Sequence, residues 1–341
     1  MNRRQFINVR SPLRVDFVGM TDYVPACQAF GGAIVNATIN KYIYCSVVQR
    51  YDKKIVLHAP DQNDKRVEIQ DHAALDVNGE LGLAQEIIRR FDLKYGIEMT
   101  TYSEMPAGAG LGSSSTITTS IIAALDALTG RGMTDHEMAE MARDCETVAL
   151  GVTYGWQDQY SPVTGGGVKF MKYWPDSVGW HVEVNHVPMP PAWLAELEKS
   201  MVVCFSGISR PAKVILDAVA EGFEEGRADV IESLQNMSAL SQDIRQRLAS
   251  GDIPEIGLLL SDVWEQHKRL HPEVTNERIE QLYNIAIKAG ATGGRVCGAG
   301  GGGAMLFMAA ANREYAVRTA LRDAEARIFD CSVDQQGLLI W

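Results

Sequence analysis

The sequence predicts a two-domain chain of mixed helix and strand, and three observations carry that prediction. Segments rich in Val, Ile, Phe and Tyr crowd its first hundred residues. Residues 211–290 read as largely helical. Between them, Pro188-Met189-Pro190-Pro191 marks a boundary, dividing the chain into domains 1–190 and 191–341. A length of 341 residues suits two domains, and a hydrophobic fraction of 46% is enough to bury a core in each.

Each element has its own signal. Residues 6–18 and 33–49 read as strands, with the turn residues Gly31 and Gly32 between them. Residues 54–70 read as two more strands around a polar turn at 61–65. Leu83, Ile87, Ile88 and Phe91 fall at helical spacing and predict an amphipathic helix over 80–95. A strand at 97–104 runs into a Gly-rich segment, and a helix follows over about 113–129. Thr134-Asp135-His136-Glu137 is a capping-box pattern that opens another helix. Residues 151–167 read as a loop, 167–173 and 180–187 as strands, and 200–205 as a short buried strand. The helical region breaks near 251–254 and at Pro272. The chain then ends as a Gly-rich loop, a strand at 303–309, a helix at 312–326 and a last strand.

Composition narrows the function. There are 32 Lys and Arg against 43 Asp and Glu, a net charge of −11. A general nucleic-acid binder shows a basic face, so none is expected here, whereas an anionic small molecule stays open to a locally positive site. No apolar run approaches the ~18 residues of a membrane span. Arg3-Arg4-Gln5-Phe6-Ile7 superficially resembles a twin-arginine export signal. No apolar stretch follows it, because Asn8, Arg10, Ser11, Arg14 and Asp16 intervene, so it reads as mature protein. Six scattered cysteines (27, 45, 145, 204, 297 and 331) suit reduced thiols in a cytoplasm.

Four segments can carry chemistry. Residues 106–115 read Pro-Ala-Gly-Ala-Gly-Leu-Gly-Ser-Ser-Ser, between a predicted strand and a predicted helix. Gly108, Gly110 and Gly112 let backbone approach an anion, the helix start offers free N–H groups and a positive dipole end, and Ser113, Ser114 and Ser115 offer hydroxyls. The Gly-Lys-Ser/Thr ending of a Walker A loop is missing; a turn used only for tight packing is the other reading. Residues 298–303 formally match GxGxxG, but a strand-like run follows rather than a helix, which excludes a dinucleotide fold. Close approach to a ligand and close approach of two chain segments stay equally open there. Glu146 and Asp158 are of the types that hold Mg²⁺ and accept a hydroxyl proton in phosphoryl transfer, and either alone also reads as surface charge. In the fourth segment, residues 10–23, Arg14 suits a transferred phosphate and Asp22 a sugar hydroxyl; a charged edge strand is the alternative. His267 and His271 sit at metal-ligand spacing, but Lys268, Arg269 and the lack of a third ligand favour a solvated helix face.

Taken together and in order, residues 10–23, 106–115 and 298–303 resemble the three signature motifs of the GHMP kinases. Within that family the resemblance is nearest to the D-glycero-D-manno-heptose 7-phosphate kinases. It rests on Ser-Pro-Leu-Arg14, Thr21-Asp22, Gly31-Gly32, Asn36-Ala-Thr-Ile-Asn40, Gln157-Asp-Gln159 with Gly165-Gly166, and Gly293-Gly294-Arg295. The resemblance implies a two-domain α+β fold, with an N-terminal ribosomal protein S5 domain 2-like domain, a C-terminal ferredoxin-like domain and the active site between them. It implies a cytoplasmic, ATP- and Mg²⁺-dependent sugar 1-kinase acting on a small sugar phosphate, for nucleotide-activated heptose and surface polysaccharide; a homodimer is compatible with it. It implies that residues 108–115 and Pro106, with Ala109 and Leu111 among them, wrap the ATP phosphates, and that Ser114 and Glu146 hold Mg²⁺. Asp158 is the matching catalytic aspartate with Arg14 beside it, and Thr21, Asp22, Gly300, Gly301 and Arg210 fall on the substrate side.

The departures are Val18-Gly19-Met20, where heptose enzymes carry a glycine-rich run, Arg295 in place of a lysine, and Ser206-Gly207 in place of Thr-Gly. They leave two alternatives: a kinase of another hexose, uronic acid or sugar phosphate, and an inactive member used for binding or regulation.

Overall fold

The computed structural model describes residues 6–151, 155–175, 180–209 and 212–341. Arg210 and the Arg3-Arg4 pair lie outside the described residues. β1 (Phe6–Val18) pairs antiparallel with β2 (Gly32–Gln49), and α1 (Val24–Phe30) lies between them. β3 (Ile55–Ala59) and β4 (Lys65–Ile69) form the hairpin around the polar turn. Then come α2 (Gly82–Phe91), β5 (Ile97–Ser103), α3 (Ser113–Thr129) and α4 (Asp135–Leu150), all close to their predicted bounds. The segment read as a loop contains α5 (Gln157–Val163), before β6 (Val168–Pro175) and β7 (Trp180–His186).

The second half opens with α6 (Pro191–Ser200) and β8 (Met201–Phe205). The long helices α7 (Ala212–Glu224), α8 (Ala228–Ser250), α9 (Ile253–Leu270) and α10 (Glu277–Ala289) follow. β9 (Ala291–Val296), β10 (Ala304–Ala309), α11 (Glu314–Asp323), β11 (Arg327–Phe329) and β12 (Leu339–Ile340) complete the chain.

The strands make two sheets. The larger has the order β12-β1-β2-β5-β3-β4, with β6 on the other part of β2 and β7 outside it; β3 and β5 run parallel and the remaining pairs antiparallel. The smaller is an antiparallel sheet, β11-β8-β10-β9. Val9, Val47 and Ile97 of the large sheet bury against Ile121 of α3, Ile87 of α2 and Ala142 of α4. Leu13, Val15 and Phe17 of β1 instead join a core that includes Val203, Leu306 and Phe307 of the small sheet. One strand therefore contributes to two cores, which joins the halves.

The end of the chain lies apart from the rest of the second half: Val9 pairs with Ile340 and Arg10 with Leu339, and Asn8 exchanges both backbone hydrogen bonds with Trp341, so the last residues return to the first sheet. The solvated-face reading of His267 is corrected, because α9 turns it inward and its exposure is 0%.

Local chemistry explains the helices that position the site. The Thr134 side chain accepts the Glu137 N–H while the Glu137 carboxylate accepts the Thr134 N–H, which fixes the start of α4. α3 is buried along most of its length although it is rich in Thr and Ser. Thr116, Thr119 and Ser120 donate their hydroxyls to carbonyls one turn back, so these three buried hydroxyls are satisfied. At its start, Gly112 holds φ +78° and no side chain caps the first turn. The first-turn N–H groups of α3 therefore stay available to a ligand.

Candidate active site

A cavity of about 440 Å³ lies where β1, the loop before α3, the end of α4, the start of α5 and residues 297–302 meet. Arg14, Gly108, Gly112, Ser114, Glu146 and Asp158 all line it. Segments as far apart in sequence as Arg14 and Gly302 thus converge on one cavity.

The Arg14–Asp158 pair is its best-defined contact. Arg14 Nε and Nη2 donate to the two oxygens of Asp158 at 2.8 and 2.9 Å, a bidentate geometry that fixes both planes. Arg14 Nη1 donates to the Gly110 carbonyl at 2.6 Å, tying the pair to the glycine loop. Burial works against the Arg14 charge, but Asp158 and Asp16 outweigh it and raise its pKa. The Asp158 side chain keeps 31% exposure and faces the cavity.

Glu146 is buried at the cavity wall. Its oxygens accept Ser115 Oγ at 3.0 Å, Thr118 Oγ1 at 2.8 Å and Gln159 Nε2 at 2.8 Å. Burial pushes its pKa up to about 7, against the downward pull of those hydrogen bonds. Ser115, not Ser114, bonds this carboxylate; Ser114 stands exposed on the cavity wall. One Asp22 oxygen accepts the N–H groups of Trp156 and Gln157, both at 2.9 Å. This external cap accounts for a seven-residue α5 with a proline inside it. Burial lifts the Asp22 pKa to about 6, the Gln157 and Trp156 amides opposing and Asp158 adding to it.

Several proposed site residues stand elsewhere. Leu111 is buried in the core, and only its carbonyl acts locally, accepting the Arg14 N–H. Pro106 does not line the cavity. The Thr21 hydroxyl is turned to the Ala33 carbonyl, which makes it a packing residue. Gly301 donates its N–H to the Val274 carbonyl, and Gly298, Gly300 and Gly302 reach the cavity instead. Gly108, Ala109, Gly110, Gly112, Ser113, Ser114, Ser115, Asp22 and Gly300 line it.

Three buried polar atoms on the wall lack a partner: Ser113 Oγ, Gln157 Nε2 and Gln159 Oε1. Buried polar groups are normally satisfied, so this wall suits a polar ligand. Sequence reasoning gave no role to Asp16 or Lys213. Lys213 lines the cavity and Asp16 lies behind Arg14. No local pattern signals them, because their place depends on contacts between distant segments. Met20, in the Val18-Gly19-Met20 departure, lines the cavity too.

A free helix start, a glycine loop beside it, a buried carboxylate able to hold a cation and an arginine-paired aspartate are the parts of a phosphotransferase. The family model described as GHMP kinases N terminal domain matches residues 81–166, and that described as GHMP kinases C terminal matches residues 238–326. The chain belongs to the GHMP kinase family, whose phosphate donor is ATP.

It is 31% identical over 344 residues to the D-glycero-alpha-D-manno-heptose 7-phosphate kinase of Campylobacter jejuni, covering 98% of each chain. A solved D-glycero-D-manno-heptose 1-phosphate kinase from Bacteroides thetaiotaomicron superposes with a TM-score of 0.81 at 27% identity, covering 98% of both chains. Lactococcus lactis galactokinase complexed with galactose shares the fold, with a TM-score of 0.77 at 20% identity over 98% of this chain and 95% of that one. The two-domain α+β expectation is met. Among the described residues no helix is long and apolar enough to cross a membrane.

Proposed function

We propose that this kinase phosphorylates the anomeric hydroxyl of D-glycero-D-manno-heptose 7-phosphate, giving the 1,7-bisphosphate for nucleotide-activated heptose and surface polysaccharide synthesis in the cytoplasm. The observation that carries phosphoryl transfer to a hydroxyl is the Asp158–Arg14 pair facing a cavity beside the open start of α3. The full-length likeness to a heptose 7-phosphate kinase supports the acceptor.

ATP has a place on both sides of Ser114. A second cavity of about 310 Å³, with Leu57, Leu83, Met99 and Ile117 in its wall, shares Ser114 and Leu150 with the first. Its apolar lining suits a purine, and the phosphates then run past residues 108–115 to Asp158. The donor set fits Mg²⁺: Ser114 Oγ and the Glu146 carboxylate are hard oxygens on the cavity wall. Bound there, the ion would neutralise phosphate charge.

The chain's own groups do the rest. Asp158 accepts the acceptor hydroxyl's hydrogen bond and orients it, and takes its proton as that oxygen bonds the γ-phosphorus and the bond from the γ-phosphorus to the bridging oxygen breaks, ADP leaving with that oxygen. Its pairing with Arg14 keeps it in one rotamer and places a guanidinium next to the transferred group. Asp22 offers its other oxygen to sugar hydroxyls. Arg14 and Lys213 are the cations lining the cavity among the described residues, and Arg210 is a further candidate for the 7-phosphate.

One observation favours another acceptor. Met20 lines the cavity with φ +70°, a backbone state that favours glycine, where heptose enzymes carry a glycine-rich run. A side chain is therefore held in the acceptor region at a conformational cost. The decisive measurement is Mg²⁺-dependent ADP release from ATP with heptose 7-phosphate, plain heptose, hexoses and uronic acids in parallel. Turnover confined to the 7-phosphate supports the proposal. Turnover of another sugar transfers the assignment to it, and silence on the whole panel supports a binding role.

A further inference from the structure

Behind the Arg14–Asp158 pair runs a line of buried charges to which the motifs assign no role. Asp16, two residues after Arg14 on β1, is fully buried. Its Oδ1 lies 3.6 Å from Arg14 Nη1, and its Oδ2 accepts Arg295 Nη1 at 2.9 Å. It also accepts the backbone N–H of Gly298 at 3.1 Å. Arg295, on β9, is likewise fully buried, and its Nη2 stands 3.2 Å from His267 Nδ1. His267 Nε2 stands 3.1 Å from the Ala299 carbonyl.

The partners fix the protonation of this line. A carbonyl only accepts and a guanidinium only donates, so His267 carries its proton on Nε2 and accepts at Nδ1. Burial and the adjacent Arg295 hold its pKa down at about 3, which keeps it neutral. The line then alternates: Asp158 negative, Arg14 positive, Asp16 negative, Arg295 positive, His267 neutral. Even Gly19 answers to it, since a Cβ there would lie 2.2 Å from Asp16 Oδ2.

Neither Asp16, Arg295 nor His267 lines the cavity, yet the ends of their contacts do. Arg14 lines it, and so do Gly298 and Ala299, all reached through Asp16 and His267. A buried ion pair is weak as a source of stability, because desolvation offsets its attraction, whereas its directional bonds fix geometry well. We infer that Asp16, Arg295 and His267 are positioning residues for phosphoryl transfer, setting Arg14 and the edge at Gly298 and Ala299 in register across the two domains. The inference rests on the kinase reading and not on the identity of the acceptor.

Steady-state kinetics of the full chain test it, with thermal midpoints measured alongside. The variants are Arg295→Lys, Arg295→Met and the double change Asp16→Asn with Arg295→Met, which removes both buried charges together and so avoids leaving one unpaired. Rates are taken with whichever sugar the wild type turns over. A wrong acceptor then shows in the wild type alone, and a wrong positioning role only in the variants. The double variant is expected to keep its thermal midpoint and KM for ATP while kcat falls about 100-fold, the scale of a 1 Å misplacement. Arg295→Lys, which keeps the charge, is expected to recover about tenfold of the loss seen in Arg295→Met. A folded double variant with wild-type kcat overturns the inference. So does a loss confined to KM, or an Arg295→Lys rate no better than that of Arg295→Met.

Discussion

The two glycine-rich segments share a composition and differ in what their glycines approach. In the first, a Cβ on Gly110 would meet the Cys297 carbonyl at 2.8 Å, but Gly112 at φ +78° turns its open side to Asp158, and the loop runs straight into α3. In the second, the glycines mainly make room for other backbone. A Cβ on Gly303 would lie 2.8 Å from the Ala109 carbonyl, one on Gly302 2.7 Å from that of Ile208, and one on Gly300 2.8 Å from that of Val274. The Ala304 N–H donates to the same Ala109 carbonyl at 2.7 Å. Glycine content signals a close approach of backbone, and the element that follows decides its object. A helix start leaves N–H groups for a ligand, whereas a strand consumes them in a ladder.

If that contrast is right, damage to the first segment's surroundings falls on rate and damage to the second falls on stability. The largest effect is expected from Asp158→Ala, which lowers turnover by ~10²–10⁴-fold while ATP still binds. Equilibrium nucleotide binding beside kcat checks it, and near wild-type turnover removes Asp158 from the chemistry. Next, Gly112→Ala puts a methyl group in ordinary contact with the Asp158 carboxylate at 3.4 Å, but its φ of +78° strains the turn into α3. A loss of about 10²-fold in kcat is expected, beside some loss of stability, as the turn relaxes and shifts the loop against Asp158. Gly303→Ala sets the opposite case. Its methyl group meets backbone and its φ is +84°, so it costs about 1–3 kcal/mol of stability, with the folded fraction's kcat little changed. Denaturant midpoints of both variants decide between them, and a rate loss without destabilisation in Gly303→Ala would erase the distinction.

The sequence made most elements legible, and the exceptions share physical causes. α3 and the capped start of α4 were readable because their signals are local. α5 was not, because its cap is Asp22, 134 residues away. β9 has no strand signal in the sequence, because Gly293 and Gly294 interrupt it. Those glycines exist for a close crossing, since a Cβ on Gly293 would lie 1.8 Å from the Gly257 carbonyl of α9. In the site, residue type and spacing single out Arg14, Glu146, Asp158 and the first glycine loop, which line one cavity, while their roles come from the resemblance. Thr21, Leu111 and Gly301 do not line it, because a motif gives residue types without the direction in which each faces. Asp16 and His267 were missed for a related reason: a buried charge can be recognised only once its partner from another segment is known.

The smallest expected effect concerns charge. The first segment's wall holds Glu146, whereas the stretch 297–302 brings to the cavity Cys297, glycines and an alanine, and no carboxylate. Burial lifts Glu146 from 4.5 to about 7 in the folded chain, so between those values the native state keeps a proton that the unfolded chain has released. Stability then falls as pH rises through this window, because the unfolded state binds fewer protons there. Asp22, lifted from 3.8 to about 6 by burial, adds in the same sense at lower pH. Glu146→Gln removes the larger contribution, since its side chain stays neutral on both sides of the equilibrium. Thermal midpoints of the ligand-free chain between about pH 5 and pH 8 should therefore decline more gently in the variant than in the wild type. Mg²⁺ with ATP should raise the wild-type midpoint more at the alkaline end, where the carboxylate is already ionised, and raise that of Glu146→Gln less. An unchanged slope in the variant would mean that the cost of burying charge lies elsewhere, and the two glycine segments would then differ in geometry alone.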